Sequence, residues 1–419
     1  MDKFVVHKSS LKGEIKVDGS KNACLPIMAA TLLTDEPCIL SNVPDLSDVR
    51  TMGRILQVLG KQIVFSANKM TISCQKKSAC EAPYDLVRTM RASFCVLGPL
   101  LARYKKAKVS LPGGCVIGPR PVDLHVKGLV ELGADIHIDQ GYCVAKTRQL
   151  KGTSIYLGGH FGSSVLATAN LLMAACLAKG ETVIEHSACE PELVDLALFL
   201  KEMGADIEGE GTPQLRIKGR KALHGASFRI IPDRIEAGTF IAASLATRSP
   251  LTITNVESRH LTSVIDVARR MGAKIKADDF SLEIKPPGCI RPLNITTFAY
   301  PGFPTDLQAQ FVVPLSLAKG VSLITEKIFP DRFMHIPELN RMGTRIIRNG
   351  PYAIIEGVKA IHGAELMASD LRASAALVIA GLAAEKKTEI LRIYHLDRGY
   401  CRMERKLRKA GAKIRREKQ

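Results

Sequence analysis

The chain has no tryptophan, and aromatic residues make up only 5% of its 419 positions. Proteins that bind single-stranded nucleic acid by stacking interleave aromatics with basic residues, and no zinc-finger, RNP or basic-zipper pattern is present either. Nucleic acid is therefore not an expected partner. Long apolar runs are also missing: LLMAACLA at 171–178 and LVIAGLAA at 377–384 fall far short of the ~20 residues that a spanning helix needs. No membrane insertion is expected. There is no CxxC and no HExxH, and the 11 cysteines are odd in number and scattered, so neither a disulfide framework nor a metal site is expected. The opening MDKFVVHKSS lacks a secretory apolar region, and together with reduced thiols this points to the cytoplasm.

What the chain has in excess is positive charge. Fifty-nine lysines and arginines stand against 41 acidic residues, a net +18, on a background of 46% apolar and 24% charged residues. That composition belongs to folded, water-soluble domains, two or three at this length. The surplus calls for an anionic partner, whether nucleic acid, an anionic surface or small phosphorylated substrates.

Six segments share one pattern: QVLGKQI, VELGADI, KEMGADI, ARRMGAKI, NRMGTRI and RKAGAKI. Their glycines, Gly60, Gly133, Gly204, Gly272, Gly343 and Gly411, are spaced 73, 71, 68, 71 and 68 residues apart. Each glycine fits the left-handed end of a helix, and the isoleucine three residues later fits the next strand. Small-residue, apolar helical stretches followed by β-like runs precede them, as in TANLLMAACLAKGETVIEH and GTFIAASLATRSPLTITNV. Helices apolar nearly all round must be buried, with the strands outside them. Each of the six units of about 70 residues thus reads helix, strand, helix and a strand pair, and several units must share one helical core.

A catalytically inert α/β solenoid would satisfy that pattern. Against it, the polar residues at equivalent joints differ from repeat to repeat. Lys21 and Asn22, Arg91, Ser164, Asp233 with Arg234, Asp306, and Asp370 with Arg372 precede the buried helices, while Arg120, Glu190, Arg332 and Arg398 follow the middle strands. Charged groups at helix starts and strand ends are how loops on a rigid scaffold build a site. The stretch LPGGCVIGPRPVDLH at 111–125 places Cys115 between glycines and five residues before Arg120. A thiol so placed can be shifted below its ordinary pKa of about 8.5 and act as acid or nucleophile.

These residues carry a resemblance. GSKNA (19–23), YDLVRTMRAS (84–93), LPGGCVIGPRPVDLH, PDRIEAGTF (232–240), FPTDLQAQF (303–311), DRFMHIPEL (331–339), SDLRASAAL (369–377) and HLDRGY (395–400) resemble, in order and over the full length, the UDP-N-acetylglucosamine enolpyruvyl transferase family of bacterial peptidoglycan synthesis. The resemblance implies an α/β fold, a two-domain inside-out α/β barrel built from six repeats of about 70 residues. Its domains would be residues 22–229 and residues 1–21 with 230–419. It implies transfer of the enolpyruvyl group of phosphoenolpyruvate to the 3-hydroxyl of UDP-N-acetylglucosamine, without metal or organic cofactor.

By the same resemblance Cys115 would be the acid and Asp306 the base, with Lys21 and Arg398 also catalytic. Lys21, Arg120, Arg332, Arg372 and Arg398 would surround phosphoenolpyruvate, since guanidinium forks suit both its anionic groups. The nucleotide sugar would lie along Asn22, Arg91, Arg120, Pro121, Val122, Asp123, Leu124, Gly162, Ser163, Ser164, Val165, Asp306 and Ile328. Fosfomycin, an epoxide that mimics phosphoenolpyruvate, would alkylate Cys115, and a monomer is favoured. One departure stands out: where the family has Ser-Val-Gly-Ala-Thr, this chain has Leu166 within Ser164 to Thr168. Two rivals remain open at this point, a 5-enolpyruvylshikimate-3-phosphate synthase, which lacks the PGGC loop, and a basic non-catalytic repeat protein.

Overall fold

The computed structural model describes residues 2–76, 79–112, 122–159 and 162–418. Backbone contacts divide them into two units, one of residues 2–18 with 232–418 and one of the described residues between 19 and 231. Lys21 begins the opening helix of the second, Lys21–Ala30.

The repeat predicted from the glycines is present six times. All six have positive φ, between +86° and +107°, directly after helices that end at Val58, Glu131, Glu202, Arg270, Arg341 and Lys409 with one capping residue between. In the later repeats the amide after the glycine donates to a carbonyl five residues back, as from Ala134 to Leu129 and from Ala273 to Ala268. That is the Schellman closure, which needs the left-handed residue glycine supplies. The isoleucines Ile63, Ile136, Ile207, Ile275, Ile346 and Ile414 all lie in the strands that follow.

Each repeat also has a short edge strand before its buried helix, so the sheets have four strands rather than three. Among the described residues three such sheets belong to each unit, and all six are open, so barrel describes the grouping of helices and sheets and not a closed sheet. Ser154–Tyr156, for example, leads into the helix Val165–Ala175 and pairs in parallel with the strand after it, Glu181–Glu185. The two crossings between units break the rule in a reciprocal way. Glu14–Lys16, which precedes the helix Lys21–Ala30, pairs with Leu251–Thr254; Ser227–Arg229, which precedes the helix Arg234–Thr247, pairs with Cys38–Ser41. The sixth repeat is completed by the other end of the chain, with Asp2–Val6 lying between Thr388–Leu391 and Ile414–Lys418.

At the centre of the unit containing residues 232–418, the helices Arg234–Thr247, Gln308–Leu315 and Leu371–Ala383 pack on one another, each backed by its own sheet. In the other unit the equivalents are Lys21–Ala30, Leu97–Tyr104 and Val165–Ala175. Leu97–Tyr104 has a shorter apolar run than its counterparts, because its repeat spends the residues Arg91–Val96 on a 3-10 helix first. Buried residues occupy nearly the whole circumference of these helices, as their apolar sequences require. Among the described residues no helix is long and apolar enough to cross a membrane.

The helices approach closely where side chains allow it. A Cβ on Gly98 would stand 2.3 Å from the backbone oxygen of Asn170, whose side-chain oxygen accepts from the Gly98 amide at 2.8 Å. Because backbone and not a flexible side chain is in the way, Gly98→Ala is expected to lower stability by about 1–3 kcal/mol. A chemical-denaturation midpoint unchanged from wild type would contradict this packing.

Candidate active site

Four buried helices begin on a side-chain cap. Asp233 accepts from Ile235 and Glu236 amides at 2.8 and 3.0 Å, and Asp370 from Arg372 and Ala373 at 2.9 and 3.0 Å. Ser20 and Ser164 cap through the Ala23 and Ala167 amides. Three of the polar joints, Ser164, Asp233 and Asp370, and Ser20 beside a fourth therefore have a local duty, to satisfy amides that the first turn leaves free. Leu166 falls in the first turn of Val165–Ala175, half-buried, where leucine is a better helix former than glycine.

Three expected site residues meet in one cluster. Asp306 lies in the single 3-10 turn Thr305–Leu307 that starts the helix Gln308–Leu315, and Arg372 in the first turn of Leu371–Ala383. Arg332 Nη1 donates to Asp306 Oδ1 at 2.7 Å, and Arg372 Nη2 to Oδ2 at 2.8 Å. Desolvation alone would raise the Asp306 carboxyl, but Arg372 and Arg332 outweigh it and hold its pKa well below the usual carboxylate range. Burial likewise opposes the charge on Arg372, yet Asp306 keeps it firmly protonated.

Both arginines are braced. Arg332 also donates to Thr305 Oγ1 at 3.1 Å; Thr305 in turn donates to Glu326 Oε2 at 3.0 Å. Glu326, fully buried, accepts further from Thr297 Oγ1 at 2.7 Å and from the amides of Ile328 and Phe329 at 2.9 and 3.0 Å, which sets the loop carrying Ile328 and leading to Arg332. Arg372 Nη1 donates to the hydroxyl of Tyr400 at 3.1 Å. That hydroxyl lies 2.8 Å from Thr239 Oγ1 and accepts from Gln310 Nε2 at 3.2 Å, so one phenol ties together groups from all three central helices. His335 is buried beside this cluster, and burial pushes its pKa down.

Arg398 ends the 3-10 helix Ile393–Arg398, half-buried and two residues before Tyr400. In the other unit Lys21 is 9% exposed and paired with Asp48 Oδ2 at 3.4 Å, and Asn22 beside it is half-buried. Arg91 opens Arg91–Val96; Val122 caps Asp123–Glu131, with Asp123 exposed and Leu124 half-buried. Gly162 has φ +91° and exchanges two backbone hydrogen bonds with Gly159, and Ser163 and Ser164 are half-buried. Cys115, Arg120 and Pro121 lie outside the described residues. Tyr400, Thr239, Gln310, Glu326 and Asp48 were not singled out by sequence reasoning. The signal was available: Thr239 and Gln310 are polar residues in the middle of largely apolar stretches, and such residues need partners when buried.

Comparison with known proteins adds to this geometry. Residues 5–407 match the family model of EPSP synthase (3-phosphoshikimate 1-carboxyvinyltransferase). The UDP-N-acetylglucosamine 1-carboxyvinyltransferase of Methylacidiphilum infernorum is 52% identical over 99% of this chain and 98% of its own. UDP-N-acetylglucosamine 1-carboxyvinyltransferase 2 of Carboxydothermus hydrogenoformans is 50% identical over 99% of both. Among solved structures, the enolpyruvyl transferase NikO from Streptomyces tendae superposes with a TM-score of 0.90 at 25% identity, covering 99% of this chain and 98% of its own. EPSP synthase from Acinetobacter baumannii gives 0.76 at 18% identity over the whole of both chains, a likeness of fold.

Tyr400→Phe would leave Arg372, Gln310 and Thr239 without a shared partner and is expected to lower stability by about 1–3 kcal/mol, read from the denaturation midpoint. A second expectation concerns His125, 3% exposed and next to Asn170, whose amide donates to Phe94 O and to His125 Nδ1 at 2.8 Å. The ring therefore carries its proton on Nε2, and burial, helped by Arg91, pushes its pKa down to about 3. The unfolded chain binds that proton below about 6.5, so folding stability falls as pH drops from about 6.5 toward 3. Nitrogen NMR should show a neutral His125 ring at pH 5; an imidazolium there would refute the assignment.

Proposed function

The chain belongs to the EPSP synthase family of enolpyruvyl transferases, and on that premise we propose that it transfers the enolpyruvyl group of phosphoenolpyruvate to the 3-hydroxyl of UDP-N-acetylglucosamine, releasing phosphate. This is the first committed step of peptidoglycan precursor synthesis. The observation that carries the acceptor is identity of 48–52% over nearly the whole chain with relatives named for that reaction.

The chemistry is addition followed by elimination. The acceptor oxygen bonds to C2 of the enolpyruvyl group while C3 gains a proton, giving a tetrahedral intermediate. Loss of a proton from C3 then restores the alkene as phosphate departs. An acid and a base are both needed. Cys115 is assigned the proton donated to C3, and Asp306 the proton taken from the hydroxyl. Lys21, Arg120, Arg332, Arg372 and Arg398 are assigned to the two anionic groups of phosphoenolpyruvate. Removing one such contact is expected to raise the barrier by on the order of 3 kcal/mol. Asn22, Arg91, Val122 to Leu124, Gly162 to Val165 and Ile328 are assigned to the sugar nucleotide. The close pairing of Arg332 and Arg372 supports this reading, because two guanidinium groups aimed at one carboxylate form a site suited to a carboxylate or phosphate. The enzyme is proposed to act as a monomer in the cytoplasm.

Phosphate release should require phosphoenolpyruvate together with UDP-N-acetylglucosamine; dependence on shikimate 3-phosphate would overturn the acceptor. Steep salt-dependent polynucleotide binding without turnover would favour the non-catalytic alternative. Near neutral pH Cys115→Ser should abolish most activity, and fosfomycin should add covalently to Cys115. Undiminished turnover in the serine variant would remove the acid role.

A further inference from the structure

We propose that Asp306 is a built-in anion that occupies the guanidinium site of phosphoenolpyruvate and is displaced by it, so that the base for the acceptor hydroxyl is released only once the donor has bound. The proposal rests on the reaction assigned above and specifies how one of its residues is controlled.

The geometry supports it in three ways. Each Asp306 oxygen is taken by a different arginine, at 2.7 Å by Arg332 and at 2.8 Å by Arg372. The side chains differ in exposure, 26% for Asp306 against 7% and 3% for the arginines, so Asp306 is the least buried member of the three. The arginines have additional anchors, Thr305 for Arg332 and the Tyr400 hydroxyl for Arg372, which keep the guanidinium groups in place when the carboxylate turns away.

The chemistry requires some such exchange. A carboxylate shared between two guanidinium ions has its lone pairs engaged and a depressed proton affinity, the opposite of what a general base near neutral pH needs. The carboxylate of phosphoenolpyruvate matches that of aspartate in shape and charge, so it can take over both arginines without rebuilding the site. Asp306, now facing a bound anion instead of two cations, gains proton affinity and turns to the acceptor. It receives the hydroxyl proton as the oxygen bonds to C2. The two arginines thereby act first as a clamp on the base and then as the seat of the donor.

Asp306→Asn keeps the shape and removes the charge. With phosphoenolpyruvate titrated alone, so that no turnover can occur, the asparagine variant should bind it at least about tenfold tighter than wild type, less than the full worth of a charge pair near a protein surface. Its turnover with both substrates should fall by about a hundredfold or more, on the scale of a lost general base. Equal or weaker binding would overturn the displacement. Phosphate release by the wild-type protein checks the reaction itself, so a weaker-binding variant of an active enzyme sinks the displacement alone. Two buried arginines without a counterion can compromise folding. A measurement on wild-type protein with 13C-labelled aspartate therefore accompanies the variant: the Asp306 carboxyl should titrate at higher pH with phosphoenolpyruvate than without, and an unshifted titration would also overturn the proposal.

Discussion

A helix that is apolar around its whole circumference cannot be covered by one sheet, and this constraint organises the molecule. Arg234–Thr247 and Leu371–Ala383 are buried on nearly every face, so each needs neighbours on all sides. In the unit containing residues 232–418 three such helices pack together, and among the described residues each unit has three open sheets. A single repeat would expose its helix; three satisfy one another. The same logic accounts for the close approach at Gly98, where a side chain would hold two central helices apart.

A polar group placed in so apolar a centre must be satisfied internally, and the chain uses that requirement to build chemistry. Thr239, Gln310 and Arg372 come from three different helices and meet at one tyrosine hydroxyl. This junction holds Arg372 in position, as Glu326 and Thr305 hold Arg332. The helix starts contribute in a second way, since Asp233 and Asp370 satisfy first-turn amides and leave the adjoining turns in fixed positions. Rigid support for two like-charged guanidinium groups matters because they repel each other and need an anion between them. Here that anion is Asp306.

How much of this was legible in the sequence depended on whether the signal was local. Six glycines at helix ends were readable because left-handed backbone is a property of one residue and its neighbours, and all six have positive φ. The helix Leu97–Tyr104 was harder to see, since a 3-10 turn shortens its apolar run. Tyr400 and Gln310 lay inside motifs already quoted, yet their importance depends on partners 161 and 90 positions away in Thr239 and each other. The exchange of edge strands at the two crossings had no sequence signal, because two- and three-residue strands pair with whatever neighbour the chain path brings beside them.

The amino-acid sequence by itself determined the six-fold repeat, the buried character of the helices and the family, because periodicity, glycine placement and motif strings are written along the chain. Tertiary structure alone decided that Asp306 stands between Arg332 and Arg372, residues 26 and 66 positions away. A charge in a sequence has no fixed proton affinity; its value is set by the groups that folding brings within a few ångströms. An aspartate that motif comparison assigns as a base is, in the folded chain, an anion held by two cations, and that difference comes from packing.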